Sequence, residues 1–191
     1  MTKEQFIYKN HIEKQVVDAQ EATATTILNM TIKEYDYETT SARSFDTRSG
    51  IFIGFIGTIL VFLMSQITVF HIELTATLPF GEAILIVLSG VSLFLAVTSF
   101  LTAIHFFIKT ISVAKYKRLP IDISKEFYQK KNTYIMQGYV NLLSNACHIY
   151  RESNELKALH FNYGCRLSYG SIIATVISYV FTLVKLLFFG V

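Results

Sequence analysis

Gly50 to Phe70 reads GIFIGFIGTILVFLMSQITVF, 21 residues without one charged side chain. A helix rises about 1.5 Å per residue, so about 20 apolar residues cross the roughly 30 Å hydrocarbon layer of a bilayer. Two further stretches meet that requirement. Ala83 to Ile108 carries no formal charge in 26 residues, with one His at 105, and Leu167 to Val191 carries only Lys185. A surface helix of a soluble protein keeps charges on its outer face. These helices offer only Ser, Thr and Gly there. The sequence therefore predicts an all-α integral membrane protein with three transmembrane helices, at about 50–70, 83–108 and 167–190.

The rest of the chain agrees. Of 191 residues, 52% are apolar and only 16% charged, against about 25% charged in an ordinary soluble domain. The composition excludes a disordered tail, a collagen-like chain and a disulfide scaffold. A formal net charge of +3 is too small to argue for nucleic acid, so no direct nucleic-acid binding is expected. The first apolar run begins after 49 largely polar residues, which is unlike a cleaved signal peptide.

Orientation follows from the basic residues. Segment 1–49 holds six Lys or Arg, segment 71–82 none, and segment 109–166 ten. The positive-inside rule assigns the first and last of these to the cytoplasm and 71–82 to the outside. In a bacterium this is a multi-pass protein of the inner membrane with a cytoplasmic N-terminus. Lys185 lies about 27 Å along a helix from Leu167, where its ammonium can snorkel to the outer interface.

Four segments result. Residues 1–49 form a cytoplasmic N-terminal helix, and 50–118 a two-span hairpin with a cytoplasmic extension. Residues 119–166 form a cytoplasmic helix, and 167–191 the third span. In the first segment Phe6, Ile12, Val16, Ala19, Ile27, Met30 and Tyr37 suggest an apolar stripe of helical period. Thr2 and Gln5 fit a capping box, and the β-branched cluster Thr23 to Thr26 is an expected weak spot. Pro79 and Gly81 break the outer loop from His71 to Gly81, and Leu119 to Asp122 forms a turn before a helix starting near Ser124. Gly138 interrupts that helix and Gly164 marks the expected hinge into the third span. The cytoplasmic helices need cover for their apolar stripes, so they are expected to pack as one helical body.

The spans carry small-residue stripes. Ser168, Ser171, Thr175, Ser178, Thr182 and Lys185 share a face of span three, and Ser89, Ser92, Ala96, Ser99 and Ala103 a face of span two. Span one carries Gly50, Gly54 and Gly57, then Thr58, Ser65 and Thr68. Two readings stay open. Small residues permit close helix packing, or the span-three stripe lines a water-accessible path in an oligomer. Three helices cannot bury every stripe among themselves, which points to a homo-oligomer in contact with membrane lipid.

Catalytic chemistry is missing. The sequence holds no nucleophile elbow, phosphate-binding loop, zinc-protease motif or dinucleotide fingerprint. Cys147 with His148, and His160 with Cys165, lack the close ligand pairs of a zinc site. No enzyme activity, metal or cofactor is expected.

The stretch Ser44 to Gly57 is the most informative. Asp46 and Arg48 stand just before an uncharged, glycine-spaced span. On a helix these two point to different sides, so each needs its own partner. For Asp46 the candidates are Lys109, Lys115, Lys117 and Arg118, and for Arg48 lipid phosphate or an acidic side chain of another copy. Asp46, Arg48, Gly50, Gly54 and Gly57 are thus a candidate gate or membrane-anchoring motif.

This motif resembles that of bacterial transmembrane effectors of the Pycsar type, which are similar in layout to the SLATT group of small membrane proteins. The layout of a cytoplasmic helix, two-span hairpin and second cytoplasmic helix is similar too. Tyr139 to Gly170, with Asn145, Lys157 and Tyr163, resembles the helix that leads into a last membrane segment. Arg48 and Ser49 stand where Lys and Ala are common. The resemblance implies a role in anti-phage defence, in which a cytoplasmic sensor or a nucleotide second messenger triggers an oligomer that permeabilises or depolarises the membrane. The competing expectation is a non-conducting membrane scaffold or channel subunit that recruits a cytoplasmic partner.

Overall fold

A computed structural model describes the backbone of residues 3–73, 79–113 and 132–189, and the side chains of 13–65, 79–113 and 132–188. Among the described residues the chain is helical, with no strand. Helix α1 spans Lys3–Glu73, α2 Phe80–Ser112 and α3 Asn132–Phe189. Each contains a window long and apolar enough to cross a membrane. The contacts divide the chain into two units. The first comprises 1–42 with 115–154, and the second 43–114 with 155–191.

Burial along each helix follows a heptad. Helix α2 buries Glu82, Ile86, Ser89, Leu93, Ala96, Phe100, Ala103, Phe107 and Thr110, in alternating steps of four and three. This 3.5-residue period is that of left-handed knobs-into-holes packing. Large side chains (Ile86, Leu93, Phe100, Phe107) alternate with small ones (Ser89, Ala96, Ala103, Thr110), so two neighbours are held at different distances. Helix α3 keeps the same step through Leu143, Cys147, Tyr150, Asn154, Lys157, Phe161, Gly164, Ser168, Ser171, Thr175 and Ser178 to Lys185. Helix α1 keeps it through Ala24, Leu28, Thr31, Tyr35, Glu38, Ala42, Phe45, Ser49, Phe52 and Ile56.

This seam differs from the expected stripe of α1. Val16, Ile27, Met30 and Tyr37 are exposed. The seam mixes small and polar residues (Ala24, Thr31, Glu38, Ala42, Ser49) with Leu28, Tyr35 and Phe45, none of which belongs to the expected stripe. Phe6 and Ile12 lie outside the described side chains. The Thr23 to Thr26 cluster does not weaken the helix visibly: Thr23, Thr25 and Thr26 donate to the carbonyls of Ala19, Glu21 and Ala22 at 2.8–2.9 Å.

The second unit is a three-helix arrangement in which α1 and α3 run parallel and α2 antiparallel. Phe52 stacks on Phe107, Ser89 meets Ser178, and Glu82 meets Lys185. Its core is Ile56, Leu63, Leu93, Phe100, Ala103 and Phe107. Helix α2 begins after Pro79, whose carbonyl accepts the Ala83 N–H at 3.1 Å. Gly81 lies inside the helix, and α1 continues to Glu73, so the outer loop is shorter than expected. Helix α2 runs to Ser112, where Val113 N–H bonds Lys109 O, and the expected cytoplasmic extension from 114 to 118 lies outside the described residues.

Gly164 is no hinge, because α3 runs through it unbroken. A Cβ there would lie 2.8 Å from the ring of Phe107, which is fully buried. The glycine allows close approach of two helices. Helix α3 is likewise continuous through Gly138. The proposed cap at Thr2, the turn at Leu119 to Asp122 and the helix start near Ser124 lie outside the described residues.

Candidate functional site

Where a seam between helices is apolar, helix register is weakly fixed. A polar group that finds its partner in only one register fixes it. This chain places several such groups on its seams.

In the first unit Glu38 is 8% exposed on α1. Asn154 Nδ2 donates to its Oε2 at 2.7 Å and to its backbone O at 3.0 Å. Arg151 Nε reaches Glu38 Oε1 at 3.4 Å, and its guanidinium reaches Glu34 Oε1 at 2.6 Å. These carboxylates, the Glu38 bond first, raise the Arg151 guanidinium above its ordinary value. Tyr35 meets Tyr150 edge-on at 5.6 Å. Cys147 is buried beside this network. Burial pushes its thiol above the ordinary range, and Glu34 and Glu38 add to the effect.

In the second unit Lys157 is 1% exposed, and its Nζ donates to Asp46 Oδ1 at 2.5 Å. A lysine this deep is tolerated only when paired. The register set by Phe52–Phe107 and Phe107–Phe161 puts Ser49 of α1, Thr110 of α2 and Lys157 of α3 at one level. All three are essentially inaccessible. Thr110 donates to Phe106 O at 3.0 Å, whereas the buried Ser49 Oγ finds no hydrogen-bond partner among the described residues. Against this polar layer lies an aromatic one. Phe52 stacks on Phe107 at 5.2 Å, and Phe161 meets Phe45, Phe52 and Phe107 at 5.6–5.9 Å.

Asp46 thus finds a partner the sequence did not suggest, 111 residues away. Of the partners expected, Lys109 lies over the Phe106 ring at 6.0 Å, and Lys115, Lys117 and Arg118 are outside the described residues. Arg48 is exposed and meets no carboxylate among the described residues. Gly50 and Gly54 are exposed and Gly57 half-buried, and a Cβ at any of the three would meet nothing within 4 Å. The structure therefore separates Asp46, which faces α3, from the glycines, which do not. Thr58 and Ser65 bond their own helix, to Gly54 O and Phe62 O.

The stripes of spans two and three meet each other. Ser89 Oγ lies 3.0 Å from Ser178 Oγ and 3.1 Å from Thr182 Oγ1, and Ser178 Oγ donates to Ser89 O at 3.0 Å. Ser168, Ser171 and Thr175 donate to carbonyls four residues back. Ala96 and Ala103 are fully buried, and Ser92 and Ser99 half-buried. Lys185 does not reach out alone. Its Nζ is 3.6 Å from Glu82 Oε1, and both side chains are about nine-tenths buried. Glu82 also occupies the first turn of α2, where the helix dipole favours a carboxylate.

Lys157, Glu82, Glu38, Arg151 and Asn154 were not singled out from sequence as partners. The usable signal was the 3.5-residue step, which puts Asn154, Lys157 and Lys185 on one seam. Cys147 and Cys165 are free thiols, and among the described residues no three His, Cys, Asp or Glu are placed to hold a metal ion. No family model, curated protein or solved structure matches the chain.

Proposed function

We propose that this chain is a multi-pass protein of a bacterial inner membrane, N-terminus cytoplasmic, and that its packing is the resting state of a membrane-permeabilising effector in anti-phage defence. Oligomers of the chain, triggered by a cytoplasmic sensor partner, depolarise the membrane. The observation that carries this reading is the pair of buried ion pairs, Asp46–Lys157 and Glu82–Lys185, in a unit otherwise suited to apolar packing. In this topology Asp46–Lys157 stands at the cytoplasmic edge of the membrane segments and Glu82–Lys185 at the outer edge, and burying charges there costs more than apolar packing would, so the pairs point to functional elements. An anchor needs neither pair. Breaking one leaves an uncompensated charge, which biases the helices toward a second arrangement. Asp46 and Lys157 are the gate in this reading. Arg48 anchors to lipid phosphate. The exposed glycine face of span one is free for another copy. Membrane potential after induced expression, compared between the wild type and Asp46→Asn, tests it.

One observation favours a second reading, a non-conducting scaffold. The hydroxyls of Ser89 and Ser178 are satisfied by each other inside one chain, so this packing leaves them no role in lining a water path. A protein that inserts, binds its partner and never alters membrane potential is that scaffold.

A further inference from the structure

Four side chains gather round one ring, at the end of the second unit that faces the cytoplasm in this topology. Phe106 of α2 is tilted against His160 and Tyr163 of α3, at 6.1 and 5.5 Å between ring centroids. His105 meets the same ring edge-on at 6.0 Å, and Lys109 Nζ stands over it at 6.0 Å. We infer that this cluster binds the phosphate of an anionic phospholipid of the cytoplasmic leaflet, with one acyl chain lying in the furrow that leads from it between α2 and α3, an assignment that rests on the membrane topology proposed above.

The charge around the ring has one sign. Lys109 is the first charged residue after the uncharged run 83–108, and both it and His105, one turn before it, are exposed. Among the described residues neither of these nor His160 meets a carboxylate. Glu82, the one acid of α2, stands at the other end of that helix and is paired with Lys185. On α3 Glu155 comes five residues before His160, and so lies on a different side of the helix. His160 buries Nδ1 with no hydrogen-bond partner among the described residues, which leaves Nε2 as the nitrogen that a ligand can reach. One ammonium, two imidazoles and a phenol suit an anion with several acceptor oxygens.

What continues from the cluster tells a lipid from free phosphate. Ser99, Thr102, Phe106 and Lys109 recur at steps of three, four and three, and so do His160, Tyr163, Leu167 and Gly170. In each row half-buried residues alternate with exposed ones, beside the buried seam. The helices are antiparallel, so the contacts of Phe106 with His160 and Tyr163 carry the two rows alongside each other into the membrane segment. The deeper part of this furrow has no charge. Thr102 Oγ1 donates to Thr98 O at 2.8 Å, so its hydroxyl needs no water. A Cβ on Gly170 would meet nothing within 4 Å, which leaves room for a hydrocarbon chain. One end of the furrow suits a phosphate and the other an acyl chain.

Basic pockets between spans on the cytoplasmic side are places where anionic headgroups bind. Tyr163, 46% exposed, stands at the depth where an interfacial aromatic ring is favoured. Lys109 lies over Phe106, so its stem covers an apolar ring while its ammonium stays at headgroup level. A lysine that merely snorkels needs only that last feature. It needs no pair of imidazoles and no tyrosine around the same ring.

The chain has no Trp, so Tyr163→Trp places a single emitter at the cluster and keeps an aromatic ring with one polar donor. The full chain is placed in nanodiscs that mix a brominated anionic phospholipid with an unbrominated zwitterionic one, and in the reverse mixture. Quenching should report a preference for the anionic lipid of about fivefold over the bulk ratio. Lys109→Gln should remove most of that preference and Lys109→Arg should keep it. Lys14→Gln, the same change of charge in the first unit, should not alter it. A separate reporter, Phe55→Trp on the exposed face of α1, should show no preference. No preference at the Tyr163→Trp reporter, equal preference at both reporters, or indifference to Lys109→Gln overturns the proposal. So does relief of the quenching by excess inorganic phosphate at constant ionic strength, because the site is then one for free phosphate. Nanodiscs offer the same lipids to both leaflets and need no membrane potential, so lipid binding fails separately from the orientation and from the effector reading.

Discussion

Lys157 Nζ lies 2.5 Å from Asp46 Oδ1, in a layer where Ser49 and Thr110 are also sealed from solvent. The lysine comes from α3 and the carboxylate from α1, so the pair holds two helices of the second unit in one register. Asp46→Asn leaves a buried cation without its counter-ion. The cost is about 3 kcal/mol, reduced to the extent that water reaches Asp46, which is 27% exposed. The thermal midpoint in mild detergent should fall, while Arg48→Gln leaves it unchanged. Asp46→Leu with Lys157→Met replaces the pair by apolar side chains and should recover the midpoint. If the double variant is less stable than Asp46→Asn, the pair is not the element that matters.

Gly164→Ala tests the close approach of α3 to Phe107. The added carbon would stand 2.8 Å from a ring that is itself packed against Phe52 and Phe161. Overpacking of this kind costs about 1–3 kcal/mol. Gly54→Ala, where a Cβ meets nothing within 4 Å, should be neutral for the fold of the single chain. Equal effects of the two substitutions on thermal unfolding would contradict the packing described.

The hydroxyl contact between spans makes a smaller contribution. Ser89→Ala and Ser178→Ala should each cost about 1 kcal/mol, in line with interhelical hydrogen bonds in membranes. The double variant should cost less than the two singles added, since both remove one shared contact. Strict additivity in unfolding measurements would show that the hydroxyls act separately.

Cys147 gives a pH signature for the first unit. Its thiol is raised by burial and then by Glu34 and Glu38, so at any given pH less of it is thiolate than of an ordinary cysteine. In a Cys165→Ser background, alkylation should be slow near neutrality and rise only above the pH at which a free thiol reacts. Glu34→Gln removes one raising influence and should shift the profile to lower pH, without abolishing the effect of burial. A profile equal to that of free cysteine would contradict the burial of this residue.

The three apolar helices were legible because a bilayer demands long uncharged runs, and Gly50 to Phe70 has few other uses. The packing was much less legible. Val16, Ile27, Met30 and Tyr37 drew attention by their apolarity, yet the α1 seam runs through Ala24, Tyr35, Glu38, Ala42 and Ser49. Between long helices, small and polar residues mark the close contacts, and large apolar ones can face lipid. The partners of Asp46 and Glu38 lie more than 100 residues away in sequence. No local spacing rule reaches them. Gly164 illustrates the same limit: its effect as a hinge or as a point of close contact depends on what faces it, and Phe107 is on another helix.

The most direct measurement is the membrane potential of bacterial cells after induced expression, followed with a voltage-sensitive dye at matched protein levels in the membrane fraction. The account predicts that the wild type without its sensor partner leaves the inner membrane polarised and that Asp46→Asn, whose resting packing is broken, depolarises it. Asp46→Leu with Lys157→Met, which stays locked, should not. Unchanged potential with membrane-inserted Asp46→Asn would contradict the effector reading and leave the chain a scaffold.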